Sequence, residues 1–407
     1  MAAPTSRNVE RRRFPWDVRA VAAARLISEM GDELALIALL FRLKDSGPGA
    51  VSLLLATFAA SRIALAPITG LIADRFPTRL LIITTSILQF FTALAIAHSE
   101  PPLIYLLVLL LAACSSVVGP AWQSFIAHVV APDQLSRTYA FIQSFRSFAI
   151  VGGAGVGGFI VDRLGPTTAI TINSLTFVVV AFLAASLRRQ RAMNDNRRGF
   201  LEFGRGFISI VTRPVLRWSL VLLASFNMSA GVVEVLGVFV VTERLGGTAA
   251  DYGLILAALG ISMLLASLVL SRVRIRLAES SSLMASALTS SVGMLAYGLS
   301  PSVPVAVLAF FVNGIGLTGL HVFGTPILVR HTAEVERGRV FAASSSVTMG
   351  GMLIATGVAG AIGTIFRPQD VVVAAALISA LLAVISGTMI RNHDATTMRG
   401  AGTATAS

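Results

Sequence analysis

Residues 103–125 read LIYLLVLLLAACSSVVGPAWQSF, a run of 23 positions without a charged side chain. A helix rises 1.5 Å per residue, so this run is long enough to cross the roughly 30 Å hydrocarbon core of a bilayer. Apolar runs of about 20 residues recur along nearly the whole chain. The stretch therefore predicts a membrane-spanning helix, and its repetition predicts an integral membrane protein.

The composition supports the same class. Of the 407 residues, 55% are hydrophobic and 13% are charged, with a mean hydropathy of +0.81, whereas a soluble domain carries about 25% charged residues. The net charge is +12, but the basic residues fall in alternate loops, which is a topology signal rather than a nucleic-acid surface. Cys114 is the single cysteine, which excludes an intrachain disulfide and a cysteine-based metal site. We expect no cofactor and no nucleic-acid partner.

Apolar runs and the polar residues between them predict an all-α protein with twelve transmembrane helices. The predicted spans are 18–41, 50–72, 79–97, 103–125, 136–160, 167–187, 215–241, 252–270, 280–299, 303–329, 339–366 and 371–390. The first span is read as a retained helix because Glu29, Asp32 and Glu33 interrupt it and no convincing small-residue cleavage site follows.

The distribution of Lys and Arg predicts the orientation. With both termini inside, the cytoplasmic segments hold 24 basic residues and the outside loops hold five, namely Arg42, Lys44, Arg163, Arg244 and Arg367. Such a bias indicates an N-in, C-in topology with an even number of crossings. We expect a multi-pass protein of the bacterial plasma membrane.

Equal spacing of the spans indicates two six-helix halves. The predicted division is an N-terminal half at 1–187 with a cytoplasmic tail at 1–17, a central cytoplasmic loop at 188–213, and a C-terminal half at 214–407. Weak echoes at an offset near 200 residues pair Gly31 with Gly231, Pro120 with Pro326 and Gly157 with Gly360. Six-helix halves related by a pseudo-twofold axis are a known transporter design.

Seven ionisable residues lie inside predicted spans. They are Arg25, Glu29, Asp32, Glu33, Arg62, Arg146 and Glu234. Ionisable groups at that depth are costly, face the protein interior or water, and indicate function. Arg25, Glu29 and Asp32 share one helical face with Glu33 beside them. We predict that Asp32 or Glu29 exchanges protons, with the three arginines tuning its pKa; a static salt-bridge cluster is the alternative.

The loop after the second span carries a recognisable pattern, Gly70-Leu-Ile-Ala-Asp74-Arg75-Phe-Pro77-Thr78-Arg79. It resembles the signature loop of the major facilitator superfamily, with Pro77 where that family usually has Gly and Thr78 where it usually has a basic residue. The resemblance implies that Asp74, Arg75 and Arg79 form a charge network that locks the outward-facing state. A charged turn that only fixes topology is the alternative.

The fifth span ends in Gly152-Gly-Ala-Gly-Val-Gly-Gly158. This run resembles the glycine motif of the antiporter branch of the same superfamily, with Ala154 at the usual proline. The motif glycines are Gly153, Gly157 and Gly158. Their small size permits close helix approach, and the resemblance implies that this packing prevents leak. An ordinary glycine-rich helix contact is the alternative.

The full-length resemblance is to bacterial macrolide efflux proteins and the enterobactin exporter, and it includes the Gly31-Asp32 pair and residues 337–341. It implies a proton-coupled exporter of drugs or other amphipathic molecules, not an enzyme, acting as a monomer in the bilayer. The fourth span lacks the Arg that related drug antiporters often carry. Siderophore or lipid export, metabolite import and a non-transporting membrane sensor stay open. Candidate cavity residues are Trp122, Gln123, Asn227, Asn313 and His321.

Overall fold

The computed structural model describes residues 15–130, 134–187, 203–272, 279–332 and 336–404. Within these ranges the chain is helical and contains no strand. The α-helices are α1 (Trp16–Leu43), α2 (Pro48–Arg75), α3 (Thr78–His98), α4 (Leu103–Val129), α5 (Leu135–Ala185), the short α6 (Phe203–Thr212), α7 (Pro214–Phe239), α8 (Ala249–Arg272), α9 (Glu279–Leu299), α10 (Val303–Arg330), α11 (Arg337–Ile362) and α12 (Pro368–Ala404).

The fifth and sixth predicted spans form the two arms of one bent helix, α5. Gly165 has φ 81° and ψ 163° inside this helix, a backbone conformation that glycine adopts without a Cβ penalty. Pro166 follows and starts the second arm, a position that its fixed φ favours. The arms are residues 135–164 and 166–185, and the chain reverses direction between them without an intervening loop.

Two elements differ from the predicted boundaries. The central segment at 188–213 was expected to be a loop, but its end folds as α6, because Ile210 is buried with Leu216 and Val340. Ten residues with two glycines contain no apolar run of membrane-spanning length, so a reading based on such runs does not find this amphipathic helix. Residues 188–202 lie outside the described part of the chain. The last helix, α12, extends past the predicted end at residue 390 to Ala404.

Nine helices in the described part are long and apolar enough to cross a membrane. The helix α1 is not among them, since charged residues interrupt its middle, and α2 adds only the shorter apolar helix Pro48–Ser61. The bent helix α5 is counted once, as Phe148–Ala185. The chain is therefore a multi-pass membrane protein, while the number of twelve crossings and the N-in, C-in orientation stay predictions.

The outer surface of the helices is apolar. Large hydrophobic side chains on it are strongly exposed, including Leu106, Phe159, Phe182, Leu308 and Ile378. In water such a surface would be a large aggregation-prone patch, whereas hydrocarbon solvates it and leaves the helices to satisfy their backbone groups internally. The surface thus agrees with lipid as the surrounding solvent.

The long helices pack as two bundles. In the N-terminal bundle, α1 and α3 pack on α5, and α4 packs on α2 and α3. In the C-terminal bundle, α7 packs on α11 and α12, and α10 packs on α8 and α9. The main contacts between the bundles pair α5 with α8 and α2 with α11. The exact boundary at 188–213 and the pseudo-twofold relation stay predictions.

Two arginines tie helix ends together at the same end of the molecule. The Arg42 guanidinium, at the end of α1, donates to the carbonyl oxygens of Ile96, Ala97 and Ser99 at the end of α3. Arg244, after α7, donates to the carbonyl oxygens of Gly298 and Leu299 at the end of α9. Each cation satisfies C-terminal carbonyls that lack intrahelical donors. We name this end the outer end, after the predicted orientation, and the opposite end the inner end.

Candidate transport cavity

The charged face of α1 begins with an ion pair. Arg25 Nη2 lies 2.9 Å from Glu29 Oε1, and Arg25 Nε donates to the same oxygen at 3.2 Å. Glu29 is the fourteenth of the 28 residues of α1, so the pair lies near the middle of the helix. The i,i+4 spacing that places both side chains on one face also brings their charged groups into contact.

Asp32 and Glu33 follow on the same side of α1. The Asp32 side chain is exposed and Glu33 is half-buried, while Leu34 and Ile37 after them are buried in the core. An exposed carboxylate this far along a membrane helix must face an aqueous space or protein polar groups, since lipid would not solvate it. The exposed Asp32 is thus the side chain of this face that is most open to solvent or to a ligand.

Glu234 lies on α7 and is half-buried. It interacts electrostatically with the buried phenol of Tyr252 on α8, and so does Glu33 on α1. The Tyr252 ring also packs edge-to-face against Phe41, with ring centroids 6.0 Å apart. Tyr252 therefore lies within electrostatic range of carboxylates from both bundles. The sequence gives no indication of this residue, because a tyrosine at the start of an apolar helix carries no signal of its contacts.

The remaining predicted intramembrane cations cannot be placed at the level of side chains. Arg62 lies on α2 and Arg146 on the first arm of α5, but their side chains lie outside the described part of the structure. Their predicted effect on the α1 carboxylates stays a prediction.

The glycines of the first arm of α5 lie against α1. A Cβ placed on Gly153 would be 2.8 Å from the Met30 carbonyl oxygen and 2.9 Å from Glu33 Cβ, and one on Gly157 would be 3.0 Å from Leu34 Cα. All three distances are shorter than ordinary packing contacts. Larger side chains would therefore push α5 away from the segment of α1 that carries the acidic residues.

The same arm of α5 contacts α8 of the other bundle at Gly158 and Gly253. A Cβ on Gly158 would lie 2.8 Å from Gly253 Cα, and the reciprocal distance from Gly253 is 2.9 Å. One turn inward, a Cβ on Gly155 would lie 3.6 Å from Ala257 Cβ. We call this contact the α5–α8 seam. It belongs to the outer half of the molecule, because α8 begins at the outer end.

The second contact between bundles is polar. The Ser52 hydroxyl of α2 donates to the Thr356 carbonyl oxygen of α11 at 2.8 Å, and the bond is buried. Nearby, a Cβ on Gly363 would lie 3.2 Å from Pro48 Cβ. These residues also lie near the outer end, where α2 begins and α11 ends. The close contacts described between the bundles therefore hold the outer end together.

The signature loop lies at the inner end. Arg75 is the last residue of α2 and is exposed, and Arg79 is half-buried in the first turn of α3. Within the described residues neither arginine has a hydrogen bond or ion pair. Gly70 and Asp74 belong to α2, but the Asp74 side chain lies outside the described part. The predicted charge network is therefore untested.

The weaker cavity candidates separate into two groups. Trp122 is buried against Phe125, and Asn313 accepts a 2.9 Å hydrogen bond from the Ser290 hydroxyl, so both make helix contacts. Asn227 donates to the Leu223 carbonyl oxygen of its own helix. Gln123 and His321 are exposed. Among the described residues no group of three His, Cys, Asp or Glu side chains is arranged to hold a metal ion.

Two helical bundles that meet around a charged helix face inside the membrane define a transporter-type protein. The sequence matches the Major Facilitator Superfamily over residues 21–241 and again over 221–404. The chain belongs to this superfamily. The resemblance of residues 70–79 to its signature loop agrees with this assignment, while the macrolide and enterobactin exporter branch is not established.

Known proteins support the same class. The chain is 25% identical over 346 residues to the uncharacterized MFS-type transporter YfiS of Bacillus subtilis (strain 168), covering 80% of this chain and 82% of the relative. A crystal structure of the nucleoside transporter NupG has a TM-score of 0.76 at 12% identity and covers 92% of this chain and 98% of that one. The POT family transporter PepTSo has a TM-score of 0.72 at 12% identity, with 94% and 99% covered. At these identities the structures show the fold alone.

Proposed function

We propose that this chain is a proton-coupled exporter of drugs or other amphipathic small molecules that works by alternating access. One observation carries the proposal: the exposed carboxylate Asp32 lies one turn from the Arg25–Glu29 ion pair, near the middle of helix α1. A carboxylate at this depth is costly unless the protein uses it. Protons and a small-molecule substrate are its ligands, and the protein acts as a monomer in a bacterial plasma membrane.

The proposed proton carrier is Asp32 or Glu29. A neighbouring cation favours the charged form of a carboxylate and burial favours the neutral form. Arg25 already contacts Glu29 at 2.9 Å, so a change in that contact would change the proton affinity of the pair. Movement of α1 relative to its neighbours would thus link proton binding to the state of the cavity.

Alternating access requires the contacts between bundles to break at one end while the contacts within each bundle persist. The α5–α8 seam and the Ser52–Thr356 hydrogen bond support this proposal, because they close the outer end. The charge network of Asp74, Arg75 and Arg79 would close the inner end in the opposite state. The glycine motif on α5 supports export, by its resemblance to antiporters.

The direct test is proton movement in everted membrane vesicles that contain the protein. We expect a macrolide, a cationic dye or a catecholate siderophore to dissipate an imposed proton gradient only when the protein is present. Loss of that response in Asp32→Asn, with the variant folded, would support the proton assignment. A substrate that enters without proton movement would favour the importer, and ligand binding without any flux would favour the sensor.

Alternating access has its own test, which uses the single native cysteine. In a Cys114→Ala background, Gly155→Cys with Ala257→Cys would place two Cβ atoms about 3.6 Å apart, within the range of a disulfide. We expect oxidation to lock the outer end and stop transport, and reduction to restore it. The matched controls are the single variants Gly155→Cys and Ala257→Cys, which cannot form the crosslink and should transport equally under oxidising and reducing conditions. Unchanged transport by the locked protein would contradict alternating access at this seam.

A further inference from the structure

The short helix α6 precedes α7 at the inner end but does not continue its axis. Arg213 between the two helices has φ −102° and ψ 112°, an extended conformation that separates them. The Arg213 guanidinium donates to the His331 carbonyl oxygen at 2.9 Å and pairs with Glu336 at 3.0 Å. The junction is thereby fixed to the segment between α10 and α11.

One side of α6 is buried and another is not. Ile210 is 3% exposed and packs with Leu216, Leu328 and Val340. Ile208 and Val211 are 64% and 62% exposed and lie three residues apart, so they form one stripe on the helix. At ten residues, about 15 Å, α6 is too short to cross a bilayer.

The surroundings of this stripe place it at a membrane interface. Arg217, in the first turn of α7, is exposed, and its guanidinium lies 5.6 Å from the centroid of the half-buried Trp218 ring. Tryptophan and arginine occupy the headgroup level of membrane helices. A short amphipathic helix at that depth lies in the interface with its apolar side toward the acyl chains.

The charge of this region selects the lipid. The segment at 188–213 contains seven arginines, against Asp195 and Glu202 as its acidic residues. Arg217 follows this segment directly. Basic residues at the cytoplasmic surface attract anionic headgroups, and each contributes about 1 kcal/mol of surface attraction before screening by salt. A zwitterionic headgroup offers no comparable net attraction.

We propose that α6 and Arg217 form a binding surface for anionic phospholipid of the inner leaflet, with Ile208 and Val211 against the acyl chains and Arg217 at the headgroup. The surface is distinct from the charged face of α1. The ion pair between Arg213 and Glu336 connects this surface to the start of α11, and α11 packs on α7.

The headgroup is tested with the full chain in phosphatidylcholine vesicles that contain brominated phosphatidylglycerol or brominated phosphatidylcholine. Subtracting the fluorescence of Trp218→Phe from that of the wild-type protein isolates the signal of Trp218. We expect brominated phosphatidylglycerol to quench this signal more strongly than brominated phosphatidylcholine does. Arg217→Gln should reduce the difference between the two lipids, and added salt should weaken the preference. Equal quenching in the wild type would overturn the proposal for an anionic headgroup.

The apolar contact is tested by spin labels in the Cys114→Ala background. A label at Val211→Cys should be accessible to oxygen and protected from a water-soluble nickel complex, whereas a label at the neighbouring exposed Thr212→Cys should be more accessible to nickel. A label at position 211 that behaves like one in water would overturn the interfacial placement. Both measurements are independent of substrate and proton coupling, so they hold whatever the protein transports.

Discussion

The helices α1 and α7 each begin a bundle, and they make similar packing contacts. Arg42 and Arg244, which lie 202 positions apart, both donate to carbonyl oxygens at the end of the third helix of their bundle. Gly31 and Gly231 both lie at close helix contacts. The separation from glycine to arginine is two residues longer in α7, where a π-helical turn at Val240–Arg244 takes up extra chain.

The two helices differ in charge. The middle of α1 carries Arg25, Glu29, Asp32 and Glu33, whereas the corresponding part of α7 carries Glu234. The packing frame is thus repeated, while the ionisable chemistry is concentrated in one copy. In a two-bundle transporter this places the proposed proton site on one bundle and leaves the other bundle to supply the opposing wall.

The largest expected effect concerns this difference in charge. We predict that Asp32→Asn lowers proton-coupled transport by roughly 100-fold or more, the scale of losing a positioned proton-transfer group. Glu234→Gln should lower it less, since Glu234 interacts with Tyr252 rather than with the Arg25–Glu29 pair. Transport and proton flux in vesicles measure both.

The control for that comparison is Glu243→Gln, an exposed residue after α7, which should transport like the wild type. Equal losses in Asp32→Asn and Glu234→Gln would show that the two helices share the chemistry.

Substitutions of Gly31 and Gly231 test the packing contacts that α1 and α7 have in common. A Cβ on Gly231 would lie 2.9 Å from the Met352 carbonyl oxygen, which is backbone, whereas one on Gly31 would meet the side chains of Asn173 and Thr176. Backbone yields less than a side chain, so Gly231→Ala should cost about 1–3 kcal/mol of stability and Gly31→Ala less. Thermal unfolding of the purified variants gives the comparison.

Gly357→Ala is the matched control for the glycine pair, because nothing lies within 4 Å of a Cβ at that position on α11. A loss for Gly357→Ala as large as that for Gly231→Ala would mean that local helix geometry, not packing, sets the effect.

Arg42 and Arg244, which donate to the carbonyl oxygens at helix ends, should contribute similar but unequal amounts to stability. Arg42 donates to three carbonyl oxygens and its side chain is 17% exposed, while Arg244 donates to two and is exposed. We predict that Arg42→Ala costs about 2 kcal/mol and Arg244→Ala about 1 kcal/mol, since hydrogen bonds from charged donors contribute more when they are shielded from solvent. Denaturation midpoints measure the two, and a reversed order would contradict the role of shielding.

The smallest effect is expected for Ser229→Ala on α7. Its hydroxyl donates to the Ala375 carbonyl oxygen of α12 at 3.0 Å, a neutral hydrogen bond whose loss should cost about 0.5 kcal/mol, the low end of the usual range. Thermal unfolding should show a small loss of stability with transport retained. A loss of transport at unchanged stability would give Ser229 a role in function.

Several features of the fold are readable from the sequence for simple reasons. Membrane helices are recognisable in a sequence as uninterrupted apolar runs, and α3, α4 and α8 lie where such runs occur. The residues Arg25 and Glu29 have the spacing of helical neighbours, and the structure brings them into contact. The roles of Asp32, Asp74 and the α5 glycines in transport stay predictions.

Other features escape a reading of one sequence. The matched pair Gly157 and Gly360 is an example, because Gly157 lies against Leu34 of its own bundle whereas Gly360 lies against Ser52 of the other. By its contacts across the bundles, Gly158 is the closer counterpart of Gly360. A glycine indicates that something approaches closely, but it carries no information about which helix approaches.

The sequence by itself determined that the chain is helical and crosses a membrane several times, because hydrophobicity and helical period are local properties of the chain. Only the tertiary structure decided which glycine meets which helix, that Tyr252 lies within electrostatic range of both Glu33 and Glu234, and that α6 turns away from α7 at Arg213. These features depend on contacts between residues of different helices, or on a backbone turn. The spacing of residues along one helix does not encode which other helix lies against it.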